Sequence, residues 1–203
     1  LSSILGMLMM TSSRDLVSIF VALEFLSIPA YMLAAWRKRD AKSNEAGVKY
    51  FLLGVFASAV LLYGMSLLYG VANSTLLSDL ASEMSGQLTS IRVLAVVFIV
   101  VGFAFKVSAV PFHTWAPRAY ATAPAPAAML HAGVLKKFGL YGLIQIAYPI
   151  LPQGVADWAP LLLILALGNV LIIGFVTMAQ RDLKLMLGNA SVMHMGYAFL
   201  GIA

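Results

Sequence analysis

Apolar residues run almost unbroken over six stretches, 16 to 36, 48 to 71, 92 to 112, 127 to 148, 159 to 179 and 185 to 203, with polar and charged residues gathered between them. About 20 helical residues cover the ~30 Å hydrocarbon core of a bilayer. Runs such as YFLLGVFASAVLLYG, residues 50 to 64, lack the alternation that barrel strands require. In lipid, backbone groups must bond within the segment, which leaves helices. The pattern predicts an all-α fold, a polytopic transmembrane helical bundle. The opening LSSILGMLMM has neither the basic start nor the cleavage site of a signal peptide and is too short to span, so it reads as the end of a truncated helix. With a close on GIA inside an apolar run, the chain reads as a fragment.

The polar connections carry the topology. Taking the helices in order, one side receives Arg37, Lys38, Arg39, Lys42, Arg118, Arg181 and Lys184, and the other only Arg14 and Arg92. By the positive-inside rule the first side is cytoplasmic, and the segment 72 to 91 and the PILPQGVADW turn are external. Composition agrees: 62% of the 203 residues are hydrophobic and 10% charged, far from the roughly one quarter charged of a soluble domain. The net charge of +5 is scattered between apolar runs rather than clustered on a face, so a nucleic-acid partner is not expected. The absence of cysteine excludes disulfides, iron–sulfur clusters and thiolate metal sites from this segment.

Ionisable residues inside the spans are the candidate chemistry. Each costs about 2.5 to 3.5 kcal/mol at the centre of a helix on insertion scales, so its presence invites a function. Glu24 is the only acid within a span, and Lys106, Lys136 and Lys137 lie near the middle of theirs. Lys49 begins its helix and can snorkel to the headgroups. A static ion pair is the bland reading of a central lysine, but three lysines share one acid. Lys136 and Lys137 are ~100° apart around a helix and cannot both face one cavity squarely. Lys136 aligns with Ala132 and Leu140, Lys137 with Gly133 and Tyr141, which leave room and a hydroxyl; this favours Lys137. In a regular helix His131 points well away from both lysines and reads as a hydrogen-bonding group near a helix end. His194, midway along the last window, is either hydrogen-bonded structure or a carrier, and His113 lies near the cytoplasmic edge. His131 and His194 could together ligate a haem, but their depths differ and nothing else supports a haem pocket.

Pro111 removes a backbone donor and frees the carbonyl of Val107, next to Lys106. A proline-broken helix at membrane depth is tolerated where it lines a cavity, so lysine and break belong together if this helix lines a hydrated path. An ordinary proline at a helix end is the other reading. The stretch APRAYATAPAPAAML would then be an irregular connection into the next span. The chain has no catalytic nucleophile, phosphate-binding glycine loop or carboxylate pair, so any enzyme label belongs to an assembly.

The motifs ALEFLSIPAYML, EAGVKYFLLGVFASAVLLYG, GFAFKVSAVPFHTWAP, AGVLKKFGLYGL and RDLKLMLGNASVMHMGY, in this order, resemble the antiporter-like proton-pumping membrane subunits of respiratory complex I, the NADH-quinone oxidoreductase. The first half is closer to the N-type subunit and HAGVLKKFGLYGL onward to the M-type, which is favoured. The resemblance implies an antiporter-like fold of inverted repeats, of which this fragment would cover about helix 4 to helix 10. It also implies roles. Glu24 matches a glutamate on helix 5, Lys106 the lysine of the broken helix 7 that pairs with it, and Lys137 the helix 8 lysine, with Lys136 an extra. His194 matches a polar position on helix 10 joining the half-channels. A lateral relay through Glu24, Lys106, Lys137 and His194 would move protons in response to redox chemistry elsewhere.

The expected setting is a bacterial inner (plasma) membrane, with other complex I subunits and lipid as partners. Quinone and NADH would be handled by other subunits, and no cofactor is expected in this chain. A multi-subunit cation/proton antiporter or a membrane-bound hydrogenase shares the helix plan; a haem-binding or structural membrane subunit is the alternative of another class.

Overall fold

The structure, a computed structural model, describes residues 1 to 84, 89 to 150 and 154 to 202. Aspartates open three of its helices by capping free backbone amides. Asp15 accepts from Ser18 N at 2.9 Å and starts α2 (Leu16–Ala34), which follows the short α1 (Ser2–Ser12). Asp40 accepts from Lys42 N at 3.0 Å and starts α3 (Ala41–Ala72), which ends at Asn73 in the left-handed region. After α4 (Leu77–Glu83) and α5 (Ser90–Val107) come α6 (Ala116–Thr122) and α7 (Ala125–Leu130). A π-helical turn, His131–Leu135, then joins α7 to α8 (Lys136–Ile150). A second π-turn, Gly168–Ile172, joins α9 (Gly154–Leu167) to α10 (Ile173–Met178). Asp182 accepts from Lys184 N and Leu185 N at the start of α11 (Leu183–Ile202).

Among the described residues, five helices are long and apolar enough to cross a membrane: Leu16–Ala34, Ala41–Ala72, Ser90–Val107, Ala159–Met178 and Leu183–Ile202. The sixth expected run falls on the helical stretch 125 to 150, which carries His131, Lys136 and Lys137. The expected external segment 72 to 91 includes α4, with residues 85 to 88 outside the described residues. The PILPQGVADW turn also lies partly outside them, at 151 to 153. The connections group by end as the topology requires. Arg37, Lys42 and Arg118 line one cavity of about 380 Å³ with Asp40, Glu45 and Asp182. At the opposite end, Leu77 N donates to Arg14 O and Leu16 N to Thr75 O.

Close approach of α5 to α3 depends on a missing side chain. A Cβ on Gly102 would lie 2.6 Å from Leu61 Cβ, the kind of small-residue contact that lets membrane helices pack. Outward residues such as Phe56, Ile172 and Phe175 are exposed and apolar, as lipid contact requires.

The break after Lys106 is not where the proline stands. The helix stops at Val107 because Ser108 takes a left-handed conformation, φ 61°. Ala109 N then donates to Ala104 O at 2.8 Å and Ser108 N to Phe105 O at 3.0 Å, the paired bonds of a Schellman close. Pro111 lies beyond this close, exposed, so it follows the break rather than making it. Serine is strained in that conformation by roughly 1 to 2 kcal/mol, and glycine is not. Ser108→Gly is therefore expected to raise the thermal stability of the assembled protein by about 1 kcal/mol, read by a melting curve.

Candidate functional site

The site is assembled around the last turn of α5. Lys106, 8% exposed, reaches across to α2, where its ammonium donates to Ser27 Oγ at 2.7 Å and Tyr31 Oη at 3.2 Å. Its third neighbour is Glu24 Oε1 at 3.7 Å, an ion pair just beyond hydrogen-bond reach. Ser58 Oγ on α3 donates to the same carboxylate oxygen at 2.6 Å and fixes its direction. Glu24, Ser27 and Tyr31 stand at i, i+3 and i+7, so one face of α2 holds the whole set. The Glu24–Lys106 pair expected from the resemblance is thus present as a contact.

The second lysine of the site is Lys136. Its side chain is 1% exposed, and its ammonium lies 5.6 Å from the centroid of the Tyr120 ring with no hydrogen-bond partner among the described residues. Lys106, Lys136, His131, Ser27, Tyr50 and Trp115 line a single cavity of about 10 Å³, roughly the room of one water. Gly139 allows the approach of α8 to α5, since a Cβ there would lie 2.8 Å from Lys106 Cβ. Tyr50 stacks on Trp115 with centroids 4.0 Å apart, and the Trp115 indole donates to Phe105 O at 3.1 Å, bracing the break from the far side.

The structure reverses the expected order of the two lysines. Lys137 is exposed and turns back onto the carbonyl of Ala132, outside the cavity. The cause is the π-turn: Lys136 N donates to His131 O, five residues back, which widens the turn and brings residues five apart onto one face. The regular 100° step that separates His131 from the lysines therefore does not apply here. His131, 1% exposed, faces Ala127 O at 2.8 Å and Ala30 O on α2 at 3.1 Å. It shares the cavity wall with Lys136.

His194 lies apart from this group. It is exposed on α11, with its ring 6.1 Å from that of Tyr197. Among the described residues it has no contact with Lys106, Lys136 or Lys137, as α11 turns Val192 and Met195 inward and this position out. His113 is half-buried and within electrostatic range of Lys136.

Several site residues carry no signal of charge and escaped sequence reasoning. Ser27, Tyr31 and Ser58 could have been found by asking which polar residues share a helical face with Glu24 or face it from the next span. Asn169, fully buried in the second π-turn, has no such signal.

Comparison with known proteins follows the same lines. Residues 13 to 203 match the transmembrane family described as NADH:quinone oxidoreductase/Mrp antiporter. The NADH-quinone oxidoreductase subunit N 1 of Rhizobium meliloti is 38% identical over 200 residues, which are 98% of this chain and 42% of that protein. Respiratory complex I from Thermus thermophilus with bound aureothin contains a chain that superposes with a TM-score of 0.83 at 34% identity, over 99% of this chain and 43% of that one. A chain of the membrane-bound sulfane sulfur reductase, an archaeal respiratory membrane complex, superposes at 0.90 with 27% identity, over 98% and 41%. This chain therefore spans about two fifths of the length of these relatives. The curated bacterial relatives carry the N-type designation, against the M-type reading favoured from HAGVLKKFGLYGL onward. The chain is an integral protein of the bacterial plasma membrane, and it belongs to the NADH:quinone oxidoreductase/Mrp antiporter transmembrane family.

Proposed function

We propose that this chain is the proton-carrying portion of an N-type membrane subunit of NADH-quinone oxidoreductase. Protons pass by way of Lys106 and Lys136, with Glu24 setting the charge state of Lys106. The observation that carries this reading is the single small cavity shared by Lys106 and Lys136, with Glu24 3.7 Å from the first amine. Two ammonium charges on the wall of one small cavity repel, so charge on one disfavours charge on the other. A carboxylate that moves toward or away from Lys106 would then switch which lysine holds the proton. His131 lines the same cavity, and Tyr120 lies against His131 and Lys136. Other membrane subunits are the partners; NADH and quinone are handled by them, and this chain supplies no redox group of its own.

The family description also names Mrp antiporters, so cation/proton exchange is the second reading. Lys137 and His194 do not share the cavity and are left outside the path proposed for this portion. The full complex in sealed vesicles separates the two functions. Lumenal acidification should require NADH and quinone and should be unchanged when sodium is replaced by potassium. Proton movement driven by a sodium gradient, without NADH or quinone, would transfer the chain to the antiporter reading.

A further inference from the structure

We propose that Asn169 is a positioning residue for Lys106, because its side-chain amide ties the non-helical backbone after the lysine to α11. Three bonds converge on this one fully buried residue. Its Oδ1 accepts from Val110 N at 2.7 Å, and its Nδ2 donates to Val192 O at 3.0 Å and Ser108 O at 3.4 Å. Ser108 and Val110 lie outside any helix, where backbone groups in a membrane interior must find partners elsewhere. Asn169 supplies partners for two of them from a third span.

The local fold around Asn169 is shaped for this contact. It sits in the π-turn Gly168–Ile172, the kind of distortion that concentrates at functional sites. Gly196 on α11 has no side chain at the crossing; a Cβ there would lie 3.0 Å from Asn169 Cβ. The span 159 to 178 contains no charged residue or histidine, and among the described residues its side-chain hydrogen bonds to the break are those of this amide. A displacement of this span or of α11 would therefore reach segment 108 to 110, and through it the last turn of α5, where Lys106 stands two residues away.

The effect on pumping rests on the proton-transfer reading above; the tether itself does not. The test uses the full complex carrying Asn169→Leu, Asn169→Ala or Asn169→Asp, with Lys106→Ala beside them. Hydrogen exchange of peptides covering 107 to 112 reads the tether, and protons pumped per NADH oxidised reads its consequence. Loss of the amide is expected to speed exchange there about tenfold, as removal of buried hydrogen bonds does. Pumping per NADH should fall at least threefold while uncoupled NADH oxidation stays within twofold. Asn169→Asp, which in a dry site takes the neutral acid form and keeps an acceptor and one donor, should recover most of both.

Unchanged exchange in the Leu and Ala variants overturns the tether. Faster exchange with parent-level pumping, where Lys106→Ala is inactive, overturns the positioning role. An Asp variant no better than the Leu variant shows that volume rather than hydrogen bonding matters, which also overturns it. Normal pumping by Lys106→Ala defeats the proton-transfer reading instead, and the exchange data then still decide the tether. If no Asn169 variant assembles, the parent complex decides: the Val110 amide must exchange slowly although it lies in no helix, and loop-like exchange there overturns the proposal.

Discussion

Lys136→Met in the intact complex is expected to cut NADH-driven pumping more than tenfold, a loss of over about 1.4 kcal/mol, while Lys137→Ala stays within about twofold of the parent. The two residues are neighbours in sequence and opposite in environment. Lys136 is buried beside Lys106, His131 and Trp115, with an aromatic ring and, among the described residues, no hydrogen-bond partner for its amine. Lys137 is exposed and satisfied by the Ala132 carbonyl. A buried amine without a partner is a liability, costing roughly 1 to 3 kcal/mol or more. Methionine has nearly the same length and no such need. The same Lys136→Met substitution should therefore raise the melting temperature of the assembled complex even as it stops transport, a trade of stability for function. Wild-type pumping in Lys136→Met with loss in Lys137→Ala would restore the opposite assignment. A fall in both stability and pumping would make Lys136 structural.

How far the sequence reveals this site depends on which rule governs each residue. The apolar runs were legible because span length and hydropathy follow from bilayer thickness; the helix starts were not, and α3 begins at Ala41 behind its Asp40 cap, seven residues before the apolar run at 48. Glu24 and Lys106 stood out because a charge in a span is costly wherever it points. Which of two adjacent lysines faces inward was not legible, because it depends on the local helical step. A π-turn at His131–Leu135 changes that step with no marker in the sequence HAGVL. The break was legible in kind and misplaced in position: proline is the expected breaker, yet serine at 108 closes the helix first. Tertiary partners explain this, since the Trp115 indole and the Asn169 amide take up backbone groups of the broken segment. The direction of His194 was not legible either, because position along a span gives depth and not the side of α11 on which the residue stands; it is exposed in the described chain.

The pair that should control the first lysine can be tested by removing its charges separately and together. Glu24 and Lys106 approach to 3.7 Å, and at an effective dielectric near 20 such a pair attracts by about 4 kcal/mol before desolvation is counted. The other partners of the amine, Ser27 and Tyr31, are neutral hydroxyls, so Glu24 is the partner on α2 whose charge can change. Glu24 is also the more accessible partner, 23% exposed against 8% for Lys106, so it is the one with freedom to move. Lys106→Met and Glu24→Gln, which keeps the oxygen that Ser58 donates to, should each lower pumping more than about tenfold, to a residual rate that is still measurable. Ser58→Ala removes only the hydrogen bond that orients the carboxylate and is expected to lower pumping two- to fivefold, about 0.4 to 1 kcal/mol. If the acid acts through the lysine, the double variant Glu24→Gln with Lys106→Met is no worse than Lys106→Met alone, because groups working as a unit do not add. Parent-level pumping in both single variants, with assembly intact, would remove the pair from the mechanism. Additive losses would mean that the acid serves a separate path.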